Sequence, residues 1–213
     1  MRSLVLAACG PLLVLAAVAA HAQTPSGKAP SGKTPPAQAS AVQAPSGPSA
    51  DQDFRELCFS HKAERKATLA AADAAGWRKE AKPPEGPTSL GFMTVKTYET
   101  RVRTLDPASR KLVVGEGDLL VGAGTSAPAR ACMIVDPTEG AASLAGEKAA
   151  LNGPALMQNN VGSMYLVDSH TGATLPKDVG PEKLKGGDVA LVMLVGRPQS
   201  AAFAYVIGQP KPN

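Results

Sequence analysis

The chain has 213 residues, a formal net charge of +4 and only 4% aromatic residues. This length suffices for one domain of ordinary size with its own core. The Lys and Arg residues are not clustered, and aromatic residues are not interleaved with them, which excludes a nucleic-acid-binding face. Beyond the first 22 residues, no stretch reaches the roughly 18 apolar residues of a membrane-spanning helix, so the mature chain is expected to have none.

Residues 1–22 have the pattern of a secretory signal peptide. Arg2 precedes an apolar run over residues 4–20, and Ala20-His21-Ala22 fits the rule of small residues around a cleavage site. A lipoprotein signal ending in Leu6-Ala7-Ala8-Cys9 is the alternative, but most of the apolar run would then follow the cut. We therefore expect a periplasmic or secreted protein whose mature chain begins after Ala22.

Residues 23–50 are rich in Pro, Ala, Ser and Gly, and the motif Pro-Ser-Gly-Lys occurs twice in succession. Such a composition cannot bury enough apolar surface to offset chain entropy, so it predicts a disordered tether. A Pro-rich docking peptide is the alternative, although the segment lacks aromatic or charged anchors. Residues 51–213 are then expected to form a single globular domain.

The folded domain is predicted to open with one Ala-rich helix from Asp51 to Trp77. Asp53 and Glu56 have the spacing of a capping box at its start. Gly76 is expected to end it in the left-handed conformation, with Trp77 folding back on the last turn. Apolar residues recur on one face at helical spacing, which predicts that this face is buried. They are Phe54, Leu57, Cys58, Leu69, Ala72 and Ala75.

The remaining elements follow from β-branched runs and turn residues. Strands are predicted at 92–105, 111–114, 119–121, 131–135, 164–167, 189–195 and 201–207, and a second helix at 138–151. Breaks are expected at 82–87, at Asp106-Pro107 and at 115–118. The last two strands are predicted to form a hairpin at the centre of the sheet. Short connections favour antiparallel pairing, so the fold class is α+β: a two-layer sandwich of a mainly antiparallel sheet with both helices on one face.

Two cysteines, Cys58 and Cys132, remain once the signal peptide is removed. An exported chain meets an oxidising compartment, so these residues are predicted to form one disulfide that ties the first helix to the strand at 131–135. Neither belongs to a Cys-x-x-Cys pair, which argues against a redox motif and against a zinc site. Met93, Met133 and Met193 fall in predicted strands and are interpreted as core residues rather than copper ligands.

The candidate chemical residues lie where the strand at 164–167 ends. Asp168, Ser169 and His170 are the three residue types of a nucleophilic triad, but neighbours on an extended chain point to opposite faces. Asp168 and His170 would share a face, yet two ligands do not complete a metal site. A turn capped by the Asp168 carboxylate is the simpler interpretation. His61, on the first helix, is interpreted as a partly buried structural histidine.

The break from Ser169 to Asp188 is long for a compact domain, and long loops are often binding segments. Pro181 predicts a short helical turn within it. This candidate binding loop includes Asp168, Ser169, His170, Lys177 and Asp178.

No metal or cofactor is predicted. We expect a non-enzymatic exported domain that binds or supports an envelope protein partner. A small hydrolase or metal-dependent enzyme using Asp168 and His170 is one alternative. A small-ligand carrier with a cavity between helix and sheet is another.

Overall fold

The β-branched and apolar runs form one antiparallel sheet. The computed structural model describes residues 47–81, 89–90, 92–105, 108–122, 124–140, 143–179 and 181–210. Within them, the sheet has nine strands in the order β1-β3-β4-β5-β9-β8-β7-β6, with β2 pairing to β3. The strands are β1 Arg78–Lys79, β2 Ser89–Leu90, β3 Met93–Leu105, β4 Ala108–Gly122, β5 Thr125–Asp136, β6 Met157–Gln158, β7 Gly162–Asp168, β8 Val189–Arg197 and β9 Ser200–Gly208.

Helical segments precede and interrupt these strands. The α-helices are α1 Ala50–Asp53, α2 Arg65–Ala74 and α3 Ser143–Leu151; a π-helical turn covers Phe54–Phe59, and a 3₁₀ helix covers Pro181–Gly186. In the described part of the chain, no helix is long and apolar enough to cross a membrane. The predicted signal peptide, the tether up to residue 46, the break at 82–87 and the Asp106-Pro107 turn lie outside the described residues.

The prediction of a central hairpin is confirmed, because β8 and β9 pair with each other and have strands on both sides. The predicted break at 115–118 is wrong, since β4 runs through it and pairs with both β3 and β5. Gly117 explains this continuity. A Cβ at Gly117 would lie 1.8 Å from the backbone oxygen of Thr94, so only glycine allows the strands to approach there. This residue is a strand glycine and not a turn glycine.

The predicted single helix over residues 51–77 is also wrong, because the chain breaks between the π-helical turn and α2. Lys62 and Ala63 have positive φ values of 50° and 54°. The Arg130 side chain donates to the Lys62 carbonyl at 2.8 Å, and Ala63 is fully buried in this conformation. The Glu64 carboxylate then accepts from the amides of Lys66 and Ala67 and begins a new helix. Tertiary contacts thus override the helical propensity of the Ala-rich sequence.

The two ends of the predicted helix have different outcomes. Asp53 does not cap it, because its carboxylate accepts hydrogen bonds from Arg103 at 2.7 and 2.9 Å and lies inside the helical segment. Gly76 does end it, with φ of 82°, and the Trp77 amide donates to the Ala72 carbonyl at 3.0 Å. This bond folds the chain back on the last turn, as predicted.

The second helix, α3, begins five residues later than predicted. The Asp136 carboxylate accepts from the amides of Thr138 and Glu139 at 2.6 and 2.9 Å, which closes a turn where the helix was expected to start. The Glu139 carboxylate accepts a hydrogen bond from the Arg110 guanidinium at 2.8 Å. The predicted stop holds, and Asn152 there has φ of 40°.

Each face of the sheet carries its own apolar core. The first core contains the buried apolar residues of the α-helices and of the π-helical turn, together with Cys132, Phe203 and Tyr205. The second core contains strand residues such as Leu166 and Leu191, together with Leu184 of the 3₁₀ helix. Among the described residues, the buried apolar side chains of α1, α2 and α3 all belong to the first core. The finer description as a two-layer sandwich stays a prediction.

The predicted disulfide is present in the first core. Cys58 and Cys132 are bonded, their Cα atoms are 5.2 Å apart, and both residues are fully buried. Phe54 packs beside it against Phe203, with ring centroids 5.7 Å apart. Burial also raises the pKa of the Tyr205 hydroxyl to about 12. The bond therefore joins the π-helical turn to an interior strand, β5, within an apolar core.

A buried ionic cluster surrounds Arg110, whose side chain is 1% exposed. Its guanidinium donates to Asp136 at 2.5 Å, to Glu139 at 2.8 Å and to Asp53. It also donates to the Pro48 carbonyl at 2.7 Å. Pro48 to Ala50, the last residues assigned to the tether, are thereby held to the folded unit.

The carboxylates of this cluster differ in pKa, because hydrogen bonds and arginine neighbours offset the effect of burial to different extents. Burial raises the pKa of Asp53 and of Glu139, although arginine neighbours oppose the effect. Burial also opposes ionisation of Asp136, but hydrogen bonds from Thr138 and from the Glu139 amide hold its pKa below the usual range. Asp136 is therefore the carboxylate of the cluster whose charge is best compensated by hydrogen bonds from its own turn, and Asp53 and Glu139 need the arginines most.

Glu147 on α3 is the poorly compensated buried carboxylate. Its side chain is 1% exposed, and the Nε atom of half-exposed Arg55 lies 2.8 Å from its Oε2. Beyond this ion pair, no hydrogen bond reaches the carboxylate within the described residues. Burial raises its pKa. The folded state therefore binds this proton more tightly than the unfolded state does.

Glu147→Gln should raise the thermal midpoint at pH 7, because the wild-type protein must keep a charge in an apolar site there. A raised folded-state pKa gives stability that is present at low pH and is lost as the pH rises through that pKa. The advantage of the variant should therefore shrink as the pH is lowered toward about 4.3, the ordinary glutamate value. Thermal scans from pH 4 to pH 8 measure it. The exposed Glu56→Gln is the control, and an equal gain in both variants would contradict the assignment.

Candidate functional site

The predicted candidate binding loop is closed at its two ends. The Ser169 amide donates to the Asp188 carbonyl at 2.8 Å, and the Ser169 hydroxyl donates to the Gly187 carbonyl at 2.7 Å. Asp168 caps the first turn, because its Oδ1 accepts from the amides of His170 and Thr171 at 2.9 and 2.8 Å. The Thr171 amide, with that of His170, lowers the pKa of Asp168. The simpler interpretation, a capped turn, thus describes the geometry.

His170 lies on the surface of this loop. Its side chain is 63% exposed; Nε2 lies 3.4 Å from an Oδ1 of Asp188, and Nδ1 lies 3.2 Å from the Lys62 ammonium. Asp188 is 79% exposed as well. The imidazole is therefore oriented by side chains that are themselves solvated. A general base needs a fixed partner and a site that excludes water, and this arrangement supplies neither.

Ser169 does not complete a triad with these groups. It is buried, and its hydroxyl is engaged with the Gly187 carbonyl. Lys177 and Asp178 are exposed farther along the loop. Among the described residues, no three His, Cys, Asp or Glu side chains are grouped so that they could hold a metal ion. His61, between the π-helical turn and α2, is partly buried.

The inner side of the loop belongs to the protein core. Pro181 begins the predicted turn, now seen as the 3₁₀ helix, and Leu184 within it is 6% exposed. Leu175 and Val179 also pack against the second core. Gly208 of β9 makes room, since a Cβ there would lie 1.8 Å from the Leu184 carbonyl oxygen. The loop thus covers one end of the second core, and its role in binding stays a prediction.

The second core is open beside the 3₁₀ helix, whose Leu184 lines the opening. A pocket of about 270 Å³ lies between the start of β3, the end of β4 and the strands β7 and β8. Phe92 and Leu120 stand at this pocket with 47% and 54% of their surfaces exposed. Its lining is almost wholly apolar: Phe92, Leu119, Leu120, Val121, Leu156, Met164, Leu184 and Leu191.

A second pocket, of about 150 Å³, adjoins the first, and Met164 lines both. Met157, Val161 and Val195 line it with exposures of 54%, 47% and 39%. Together with Phe92 and Leu120, these are all the large apolar residues exposed in the described part of the chain. The exposed apolar surface is thus gathered at two neighbouring pockets. We call the combined lining of the two pockets, that is, every residue that lines either of them, the apolar groove.

Sequence reasoning missed the apolar groove. Phe92 and Leu120 lie at or beside strands, where an apolar residue normally signals burial. Their exposure depends on which distant segment covers the end of the sheet, and no local pattern reports that. The signal that existed was the number of methionines, since adaptable Met side chains are common at binding surfaces.

The comparisons with known proteins add no identity: no family model, no curated protein and no solved structure matches this chain.

Proposed function

We propose that this protein is an exported, non-enzymatic binding domain that uses the apolar groove to hold a protein partner. The carrying observation is that all five exposed large apolar side chains of the described chain line two adjoining pockets. Scattered apolar residues are normal on a surface, whereas a contiguous patch marks an interaction site. In this proposal the domain is a two-layer α+β sandwich whose helices cover one sheet face and leave the groove on the other.

The exposed rims of the pockets favour a protein partner over a small ligand. Ligand pockets usually measure about 300 to 1,000 Å³ and enclose most of the ligand. The pockets here measure about 150 and 270 Å³, and both carry exposed residues at their rims. Each has room for one apolar anchoring side chain. A partner that presents two apolar anchors on one segment would fill both, which is the usual mode of interface hot spots.

The chemistry of the candidate binding loop agrees with a non-enzymatic domain. An enzyme using Asp168 and His170 would need its carboxylate free to orient the imidazole. The Asp168 oxygen instead accepts backbone hydrogen bonds, and His170 is largely exposed. Export, expected from residues 1–22, would place the domain where the Cys58–Cys132 bond persists and where an envelope protein could be its partner.

Selection from a random peptide library tests the proposal. A phage-displayed library would be selected on the wild-type protein, and binding of the enriched peptides to each variant would be measured by fluorescence polarisation. Peptides with two apolar anchors are expected, and Leu120→Asp or Val195→Asp should weaken each at least about tenfold, a loss of about 1.4 kcal/mol.

Ala70→Asp is the matched control, because Ala70 is exposed on α2 and the substitution introduces the same charge. It should bind like the wild type. Peptides that bind all four proteins equally would refute the assigned groove. Tight binding of a dansylated fatty acid, lost in Leu120→Asp while no peptide is enriched, would refute the protein partner in favour of the small-ligand carrier.

A further inference from the structure

Three methionines stand side by side on consecutive strands at one end of the apolar groove. Met157 of β6 is the direct partner of Met164 on β7, and Met164 is the direct partner of Met193 on β8. Residues directly opposite on antiparallel strands lie on the same face, with Cβ atoms about 4.5 to 5.5 Å apart. All three side chains line the smaller pocket. The strand register thus brings three thioether sulfurs to one small open site.

The cross-strand row that contains Met157, Met164 and Met193 continues onto β9 and β5, but no fourth methionine joins the three. Met193 faces Ala204 on β9, and Ala204 faces Met133 on β5. Alanine therefore separates Met133 from the other three by one strand. Met93 belongs to the second core and is fully buried. Met133 and Met93 lie outside the three-methionine site and therefore serve as internal comparisons.

The donor set of the site is chemically selective. Its other lining residues are Gln158, Asn159 and Ser163, with aliphatic residues and glycine, and none of them is a carboxylate, imidazole or thiol. Thioethers are soft, neutral ligands that select Cu(I), whereas Zn²⁺ requires His, Cys or carboxylate groups. Both cysteines of the described chain are bonded to each other and cannot compete.

The flexibility of methionine allows the three sulfurs to converge. Each side chain has three rotatable bonds beyond the backbone, so a sulfur can move several ångströms while its Cβ stays in the sheet. Met193 is nearly buried, Met164 is partly exposed and Met157 is 54% exposed. Exposure thus increases from Met193 to Met157, so the site is held by the sheet at Met193 and is open to the solvent at Met157.

We propose that Met157, Met164 and Met193 form a binding site for a soft monovalent cation of the Cu(I) class. The ion is bound by three thioether sulfurs with no change of its oxidation state. The site does not depend on the protein partner of the apolar groove, since it rests on sulfur and not on apolar surface.

The test is a titration with Ag(I), a stable stand-in for Cu(I), followed through the ¹³C-labelled methyl groups of methionine. The protein is produced from the full chain with its disulfide intact, and any free thiol is alkylated first. The signals of Met157, Met164 and Met193 should shift together and saturate at one equivalent, while those of Met133 and Met93 stay in place. Equimolar Zn²⁺ should shift none of them.

Leucine variants separate sulfur chemistry from packing, because Met→Leu nearly conserves volume and apolarity. Met164→Leu and Met193→Leu should each weaken Ag(I) binding at least tenfold, and Met133→Leu should leave it unchanged. Ag(I) binding should survive Leu120→Asp, which lies outside the lining of the smaller pocket and which the proposed function expects to weaken peptide binding, so this proposal and the proposed function fail independently. Unshifted methyl signals at one equivalent of Ag(I), or equal affinities for Met164→Leu and Met133→Leu, would overturn the site.

Discussion

Arg110→Met should destabilise the protein by about 3 to 5 kcal/mol, because it leaves buried carboxylates without their shared cation. Arg110 serves Asp53, Asp136 and Glu139, whose side chains are 2%, 0% and 15% exposed. Arg103 would still contact Asp53, but no other guanidinium is bonded to Asp136 within the described residues. Urea unfolding at pH 7 measures the loss.

The matched control for this loss is Arg197→Met, at the exposed end of β8. It should change the free energy of unfolding by no more than about 0.5 kcal/mol. The pH dependence gives a second check. Burial raises the pKa of Asp53 and Glu139, so part of the loss in Arg110→Met should be recovered as the pH falls and these groups become protonated. A loss below about 1 kcal/mol, or one that does not depend on pH, would contradict the cluster's role.

Removal of the Cys58–Cys132 bond should have an effect of similar size. The residues are 74 positions apart, and closing a loop of that length stabilises the folded state by roughly 4 kcal/mol in the chain-entropy model. That is a large share of the roughly 5 to 15 kcal/mol that stabilises a typical domain. Thermal unfolding in the presence of a reductant should therefore give a strongly lowered midpoint.

Two independent ways of opening the bond should agree. Cys58→Ala with Cys132→Ala removes the bond and two sulfurs, whereas reduction removes the bond alone. Mass spectrometry of the untreated protein should show two hydrogens fewer than the free dithiol. Two free thiols in protein from an oxidising compartment, or an unchanged midpoint after reduction, would contradict the pairing.

The parts of the fold that depend on local sequence could be predicted. The uninterrupted apolar run at 189–195 forms the buried strand β8, and Gly196-Arg197-Pro198 joins it to β9. Gly76 ends α2 because glycine adopts a positive φ without a steric penalty. The cysteine pair follows from the expectation of export and from the count of two cysteines beyond residue 22. These features need only near neighbours or a single chemical rule.

The errors arise where distant residues decide the backbone. The break at Lys62 and Ala63 depends on Arg130, which donates to the Lys62 carbonyl from β5. Asp53 has the spacing of a cap, but Arg103 and Arg110 bind it from the sheet. Whether a carboxylate caps a helix or pairs with a distant arginine is a tertiary question. No spacing rule contains that information.

In the candidate site, too, local sequence predicts some features and distant residues decide others. The capped turn at Asp168 follows from an Asp with turn residues after it, so local sequence predicts it. The apolar groove exists because the 3₁₀ helix covers only part of the second core and leaves Phe92 and Leu120 exposed at the pocket that its Leu184 also lines. The methionine row is visible as composition, but its alignment depends on the register of β6, β7 and β8.

Site-specific photo-crosslinking in the native host tests the central claim most directly. A benzophenone amino acid would replace Leu120 in the apolar groove or Ala70 on the exposed side of α2. We expect a discrete protein adduct from position 120, none from position 70, and loss of the adduct when Val195→Asp is added to the same chain. Adducts of equal yield at both positions, or an adduct from position 120 that persists with Val195→Asp, would contradict a protein-binding groove.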